Sequence, residues 1–108
     1  MSSKVFVIAL LLSLGSGSVL AGDAAAGKEK AVTCVACHGE AGAAPISPQY
    51  PILAGQYEDY LSQALQQYQN GQRKNMIMTG LAAALSEQDI ADLAAYFSSQ
   101  SSGLRTIE

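Results

Sequence analysis

With 108 residues and a formal net charge of −3, the chain has room for one small domain. It lacks the basic stripe that a phosphate backbone requires, which excludes a nucleic-acid partner. Two cysteines and one histidine confine any metal or thiol chemistry to very few side chains.

The first 21 residues read as a secretory signal peptide. Lys4 supplies the positive start, and Val5 to Leu14 is apolar apart from Ser13. Gly15 to Ala21 is small and weakly polar, and Val19-Leu20-Ala21 suits a cleavage site after Ala21. A membrane span needs about 20 apolar residues, more than this run offers. No cysteine stands where a lipoprotein anchor would need one. The expected product is a soluble exported domain over residues 22–108, with five basic against nine acidic side chains and a charge of −4. So short a chain has a marginal core and usually needs a covalent or metal staple.

The mature part carries no alternating strand pattern, and three helical stretches stand out. The first is expected from Ala24 to Val35, with Asp23 as N-cap. Gly27 lies inside it at a cost of up to about 1 kcal/mol relative to alanine, which suggests a close crossing by another element.

That helix runs into Cys34-Val35-Ala36-Cys37-His38, which holds both cysteines and the single histidine. C-x-x-C-H is the attachment signature of a c-type haem. Two nearby thiols form thioethers to one porphyrin, and the following histidine is held under the iron as an axial ligand. One such motif implies one covalently bound haem c. Other readings of these residues are weaker. A thioredoxin-like dithiol prefers a βαβ context and leaves His38 idle. Structural zinc takes four ligands, where these residues offer three at most. A plain disulfide across so short a loop stabilises little.

Gly39 to Pro51, with Pro45 and Pro48, is expected to be a loop. The second helix spans about Gln56 to Asn70. Tyr57, Tyr60, Leu61, Ala64, Leu65 and Tyr68 form its apolar stripe, and Gly71 is its natural stop. Core packing is the ordinary role of such a stripe, and a haem propionate is the alternative target for one tyrosine hydroxyl. Gly71 to Gly80 is expected to be a second loop, with a short turn of helix at Gly80 to Ala84. The third helix runs from about Glu87 to Ser99 behind a capping box formed by Ser86 and Asp89. Its buried stripe is Ile90, Leu93, Ala94 and Phe97, bordered by Tyr96. The tail from Ser101 is expected to fray.

An electron-transfer haem normally has two axial ligands. With one histidine in the chain, a methionine sulfur is the natural second, and it raises the potential. Met76 and Met78 are the candidates, and their spacing alone does not choose between them. Lys74 is a poorer donor, because its amine must first lose a proton.

These pieces together resemble a class I cytochrome c, above all small bacterial monohaem forms and single domains of the cytochrome c4 group. The matching segments are G-D-A-A-A-G-K, C-V-A-C-H-G, P-I-L-A-G-Q-Y, N-G-Q-R-K-N-M-I-M-T-G and L-S-E-Q-D-I-A-D-L-A-A-Y-F, spread from Gly22 to about Gln100. The resemblance implies an all-α fold whose helices pack around one covalent haem. It implies His38 and Met78 as iron ligands, Cys34 and Cys37 as thioether anchors, and Pro51 as the residue whose carbonyl holds the ligand histidine. It places Gly27 against Leu93 and Tyr96 where the first and last helices cross. Met76 departs from the group's frequent proline.

The function so implied is one-electron transfer in the periplasm, without catalysis. Redox partner proteins would dock transiently at an exposed haem edge, in the small-interface class. The acidic balance suggests a basic partner face, although Lys28, Lys30, Arg73 and Lys74 offer a local positive rim. Two alternatives stay open: a haem subunit of a larger oxidoreductase, and a ligand-binding haem sensor or peroxidase with a labile methionine.

Overall fold

The computed structural model describes Lys4 and residues 20–101. Most of the signal-peptide reading, and the tail from residue 102, lie outside the described residues. The chain is all-α, with helices α1 (Ala24–Lys30), α2 (Val32–His38), α3 (Glu58–Asn70), α4 (Met76–Ala82) and α5 (Glu87–Ser98). A 3₁₀ turn covers Glu40–Gly42. No strand occurs among the described residues, and none of their helices is long and apolar enough to cross a membrane.

The expected first helix is present as two pieces. Asp23 caps α1, its carboxylate accepting from the backbone N–H groups of Ala25 and Ala26. At Ala31 the turn tightens: the Ala31 carbonyl accepts from Cys34 N at 2.9 Å as well as from Val35 N at 3.0 Å. The three-residue closure is 3₁₀-like and re-aims the chain. Helix then continues through His38, beyond the expected end at Val35, so the whole C-x-x-C-H motif is helical.

Helix α5 crosses α1 closely and packs also on α3. A Cβ on Gly27 would overlap the Asp92 carbonyl oxygen and lie 2.7 Å from Tyr96 Cβ. The helical glycine is therefore required by the crossing, with Asp92 rather than Leu93 as the backbone neighbour. The α5 stripe is as expected: Ile90, Leu93, Ala94 and Phe97 are buried, and Tyr96 joins them. Ala31, Leu61, Leu93, Ala94, Tyr96 and Phe97 form one cluster. The Ser86/Asp89 capping box is complete, with Asp89 N donating to Ser86 Oγ and Ser86 N to Asp89 Oδ2.

Two expectations are corrected. The methionine segment is a helix, not a loop. Asn75 caps α4 by accepting from Ile77 N and Met78 N at 3.1 and 3.0 Å, and asparagine before an apolar run is an N-cap signal. Ile77, Thr79 and Gly80 are weak helix formers and masked that signal. The tyrosine stripe of α3 is not core packing throughout. Leu61 is buried, but Tyr57 and Tyr60 are 67% and 48% exposed. Tyr60, Leu65 and Tyr68 instead line a cavity.

Candidate functional site

The cavity encloses about 530 Å³, within the range of sites that hold a small organic group, roughly 300–1,000 Å³. Helix α2 forms its floor with Cys34, Cys37 and His38, α5 contributes Leu93 and Phe97, and α3 and α4 supply the facing wall.

His38 is 5% exposed, and its Nδ1 lies 2.7 Å from the Pro51 carbonyl oxygen. A carbonyl only accepts, so Nδ1 carries the proton and donates. That bond leaves Nε2 as the nitrogen available to a metal, the arrangement usual for a metal-ligating histidine. The Tyr50 ring meets the imidazole edge to face, with centroids 6.1 Å apart. The strand of chain that holds Pro51 in place is tied to the 3₁₀ turn. The Gly42 carbonyl accepts from Leu53 N and Ala54 N. Gly42 has φ +70°, and a Cβ there would press on Phe97 and Leu53 at 2.8 and 3.0 Å. Both the backbone angle and the space call for glycine.

Cys34 and Cys37 are unbonded and partly buried. Burial pushes the Cys34 thiol up from its ordinary value, the opposite of what a redox-active thiolate requires. Among the described residues no three His, Cys, Asp or Glu side chains converge to hold a metal ion, as a zinc site would need.

The structure separates the two methionines. Met78 is half-buried and lines the cavity. Met76, two residues earlier and so on the far side of α4, is 94% exposed and outside the lining. Lys74 is exposed and also outside it. The donor set at the cavity is thus two thiols, one imidazole and one thioether, which could hold a c-type haem.

The family description "Cytochrome c" matches residues 24–101. The chain belongs to the cytochrome c family. Cytochrome c4 of Pseudomonas aeruginosa is 50% identical over 96 residues, covering 87% of this chain and 47% of that protein. Cytochrome c-554(548) of Halomonas halodenitrificans is 53% identical over 83 residues, covering 74% of this chain and 99% of that one. The crystal structure of reduced recombinant cytochrome c4 from Pseudomonas stutzeri superposes with a TM-score of 0.72 at 45% identity, over 78% of this chain and 48% of that chain. This cytochrome c chain therefore spans about half the length of the c4 relatives and nearly all of c-554(548).

Sequence reasoning missed several residues around the site. Asp92 is a buried acid at the α1/α5 crossing, accepting from Lys30 Nζ at 2.6 Å, Gln88 Nε2 at 2.7 Å and Asp23 N at 2.8 Å. Lys30, ahead of everything else, holds its carboxyl down at about 2, with the Asp23 amide and Gln88 adding to it. Lys30 also pairs with Asp89 at 2.9 Å. Arg73 donates to Tyr60 Oη at 3.2 Å and lies over the Tyr60 and Tyr68 rings. Lys30 is thus paired with two carboxylates, while Arg73 is held against two tyrosines. Gln69 reaches from α3 to the end of α4, where its Nε2 donates to Ala82 O and Leu85 O, both at 2.8 Å. The spacing of an exposed glutamine gives no sign of any of these partners.

Proposed function

We propose that this cytochrome c is a periplasmic one-electron carrier. Its single haem c is held through thioethers to Cys34 and Cys37 and ligated by His38 and Met78. The observation that carries the reading is the gathering of those four side chains on one cavity, with Met76 outside it. Haem c, when bound, supplies a one-electron ferric/ferrous couple.

The chain's own residues set the conditions for that couple. Pro51 fixes the His38 tautomer and raises its basicity. A thioether as the second ligand favours the ferrous state and a high potential. Leu61, Leu65, Leu93 and Phe97 line the cavity with hydrocarbon and keep water from it. Redox partners, with no nucleic acid among them, would dock over the exposed rim of the cavity. Ile52, Ile77 and Leu81 line it and are 37%, 54% and 44% exposed, and a small, weak interface suits a shuttle.

The test is a denatured intact mass with oxidised and reduced visible spectra of the exported protein. The reading expects haem that stays with the denatured chain, a mature start at Gly22, and no carbon monoxide binding to the native ferrous protein at neutral pH. Haem lost on denaturation would remove the thioether assignment. Ready carbon monoxide binding would favour the sensor or peroxidase alternative, and co-purification with a stoichiometric partner would favour the subunit alternative.

A further inference from the structure

Helix α4 is a lightly held element. It has seven residues, and Ala82 alone is buried among them. Met76, Ile77 and Leu81 are exposed, and its main packing partner is α3. At its start, Asn75 caps it from within the same segment. At its end, the last carbonyls of a helix lack intrahelical donors. The Gln69 amide answers that need from the neighbouring helix, with one N–H to Ala82 O and the other to Leu85 O, each at 2.8 Å. Both hydrogens of the amide are used, and both acceptors lie four to seven residues beyond Met78. The same Ala82 carbonyl accepts from Leu85 N at 3.1 Å, so the three groups close one knot between α3, α4 and the turn into α5.

We infer that Gln69 is a latch on α4 that controls how often Met78 leaves the cavity. It is a positioning residue and touches no cofactor. This rests on the reading of Met78 as sixth ligand and deepens it. Ligation by Met78 requires α4 to stay against α3. Release of the Gln69 amide frees the end of α4, and the helix then swings about its Asn75 end. An outside ligand reaches the iron only in the open state, so its apparent affinity scales with the open fraction. The arrangement makes a firm carrier with the amide in place and an open, ligand-binding site without it.

The test uses Gln69→Met, which keeps size and helix propensity but removes both donors, and Gln69→Glu, which keeps the shape and lacks the N–H groups. Gln66→Met, at an exposed position on the same helix, is the control, and Met78→Ala is the fully open reference. Imidazole is titrated into each ferric holoprotein and the far-red sulfur-to-iron band is followed. Loss of two ordinary hydrogen bonds should raise the imidazole affinity roughly tenfold to thirtyfold in both Gln69 variants. The thermal midpoint of the haem-bound fold should fall as well, since the closed state loses the same two bonds against the unfolded chain, so the imidazole affinity is the readout that a merely structural role would leave unchanged. An affinity within twofold of wild type in both variants overturns the latch. So does a rise that Gln66→Met reproduces. If wild type has no far-red band and Met78→Ala binds imidazole no more tightly than wild type, the Met78 reading has failed and the latch falls with it.

Discussion

Where α1 crosses α5, protein meets protein. Gly27 admits the Asp92 backbone, Lys30 reaches Asp89 and Asp92, and Leu93, Ala94 and Phe97 are buried. Along α3 and α4 the apolar side chains meet a cavity instead. Tyr60, Leu65 and Met78 line it, while Ile77 and Leu81 stay exposed at its edge. Both regions come from stripes of helical period, so the pattern marks which residues seek an apolar neighbour without saying what that neighbour is. On the α5 side it is another helix. On the α3/α4 side it is a cavity, which the proposed haem would fill.

That contrast can be broken most forcefully by removing the anchors. Cys34→Ala with Cys37→Ala should leave the α3/α4 side without its partner, and the small remaining core should fail to fold cooperatively. Far-UV circular dichroism against temperature should show a broad drift, and a sharp transition would mean that the α1/α5 crossing suffices alone. Next in size is Phe97→Ala, which opens the buried cluster and should cost about 3–5 kcal/mol in urea unfolding of the holoprotein. Gly27→Ala follows, with a loss of about 1–3 kcal/mol from forcing α1 off the α5 backbone. A neutral result at Gly27 would mean that the crossing gives way easily.

The Asp92 network sharpens the same contrast through pH. Asp92 is held at about 2, below its ordinary 3.8, and Asp89 is also lowered, first by the Ser86 amide and then by Lys30. Groups depressed in the folded state contribute fully above their unfolded values and lose that contribution as pH falls through the folded ones. Stability should therefore decline from about pH 4 toward pH 2. Lys30 is raised above 10.5 by its bonds to Asp92 and Asp89, so its share is present below that value and fades above it. Asp92→Asn should be less stable than wild type at neutral pH, and the gap should narrow toward pH 2. A gap that stays constant in urea titrations would show that the carboxylate charge is not what the crossing uses. The smallest effect belongs to Met76→Leu, a 94% exposed position, which should change stability by no more than about 0.5 kcal/mol.

Much of this was legible in the sequence, for reasons that differ by region. The C-x-x-C-H motif, the Asp23 cap, the Ser86/Asp89 box and the α5 stripe are local patterns whose partners lie within a few residues. Gly27 was legible because a glycine inside a helix needs a reason. Asp92, Arg73 and Gln69 were not, since each has a partner lying 13 to 69 residues away and an acid, a base or an amide on a polar helix face looks the same with or without it. The choice between Met76 and Met78 belongs to both levels. The resemblance implied Met78, and α4 sets Met78 on the cavity lining with Met76 94% exposed, which supports the proposed ligand.

The most direct measurement is the ferric far-red absorption of Met78→Leu beside Met76→Leu, both exported and purified with haem attached. The expected result is loss of the sulfur-to-iron band in Met78→Leu and an unchanged band in Met76→Leu. A band that survives in Met78→Leu, or disappears in Met76→Leu, would contradict the assignment of the cavity's fourth donor and the account of the α3/α4 wall built on it.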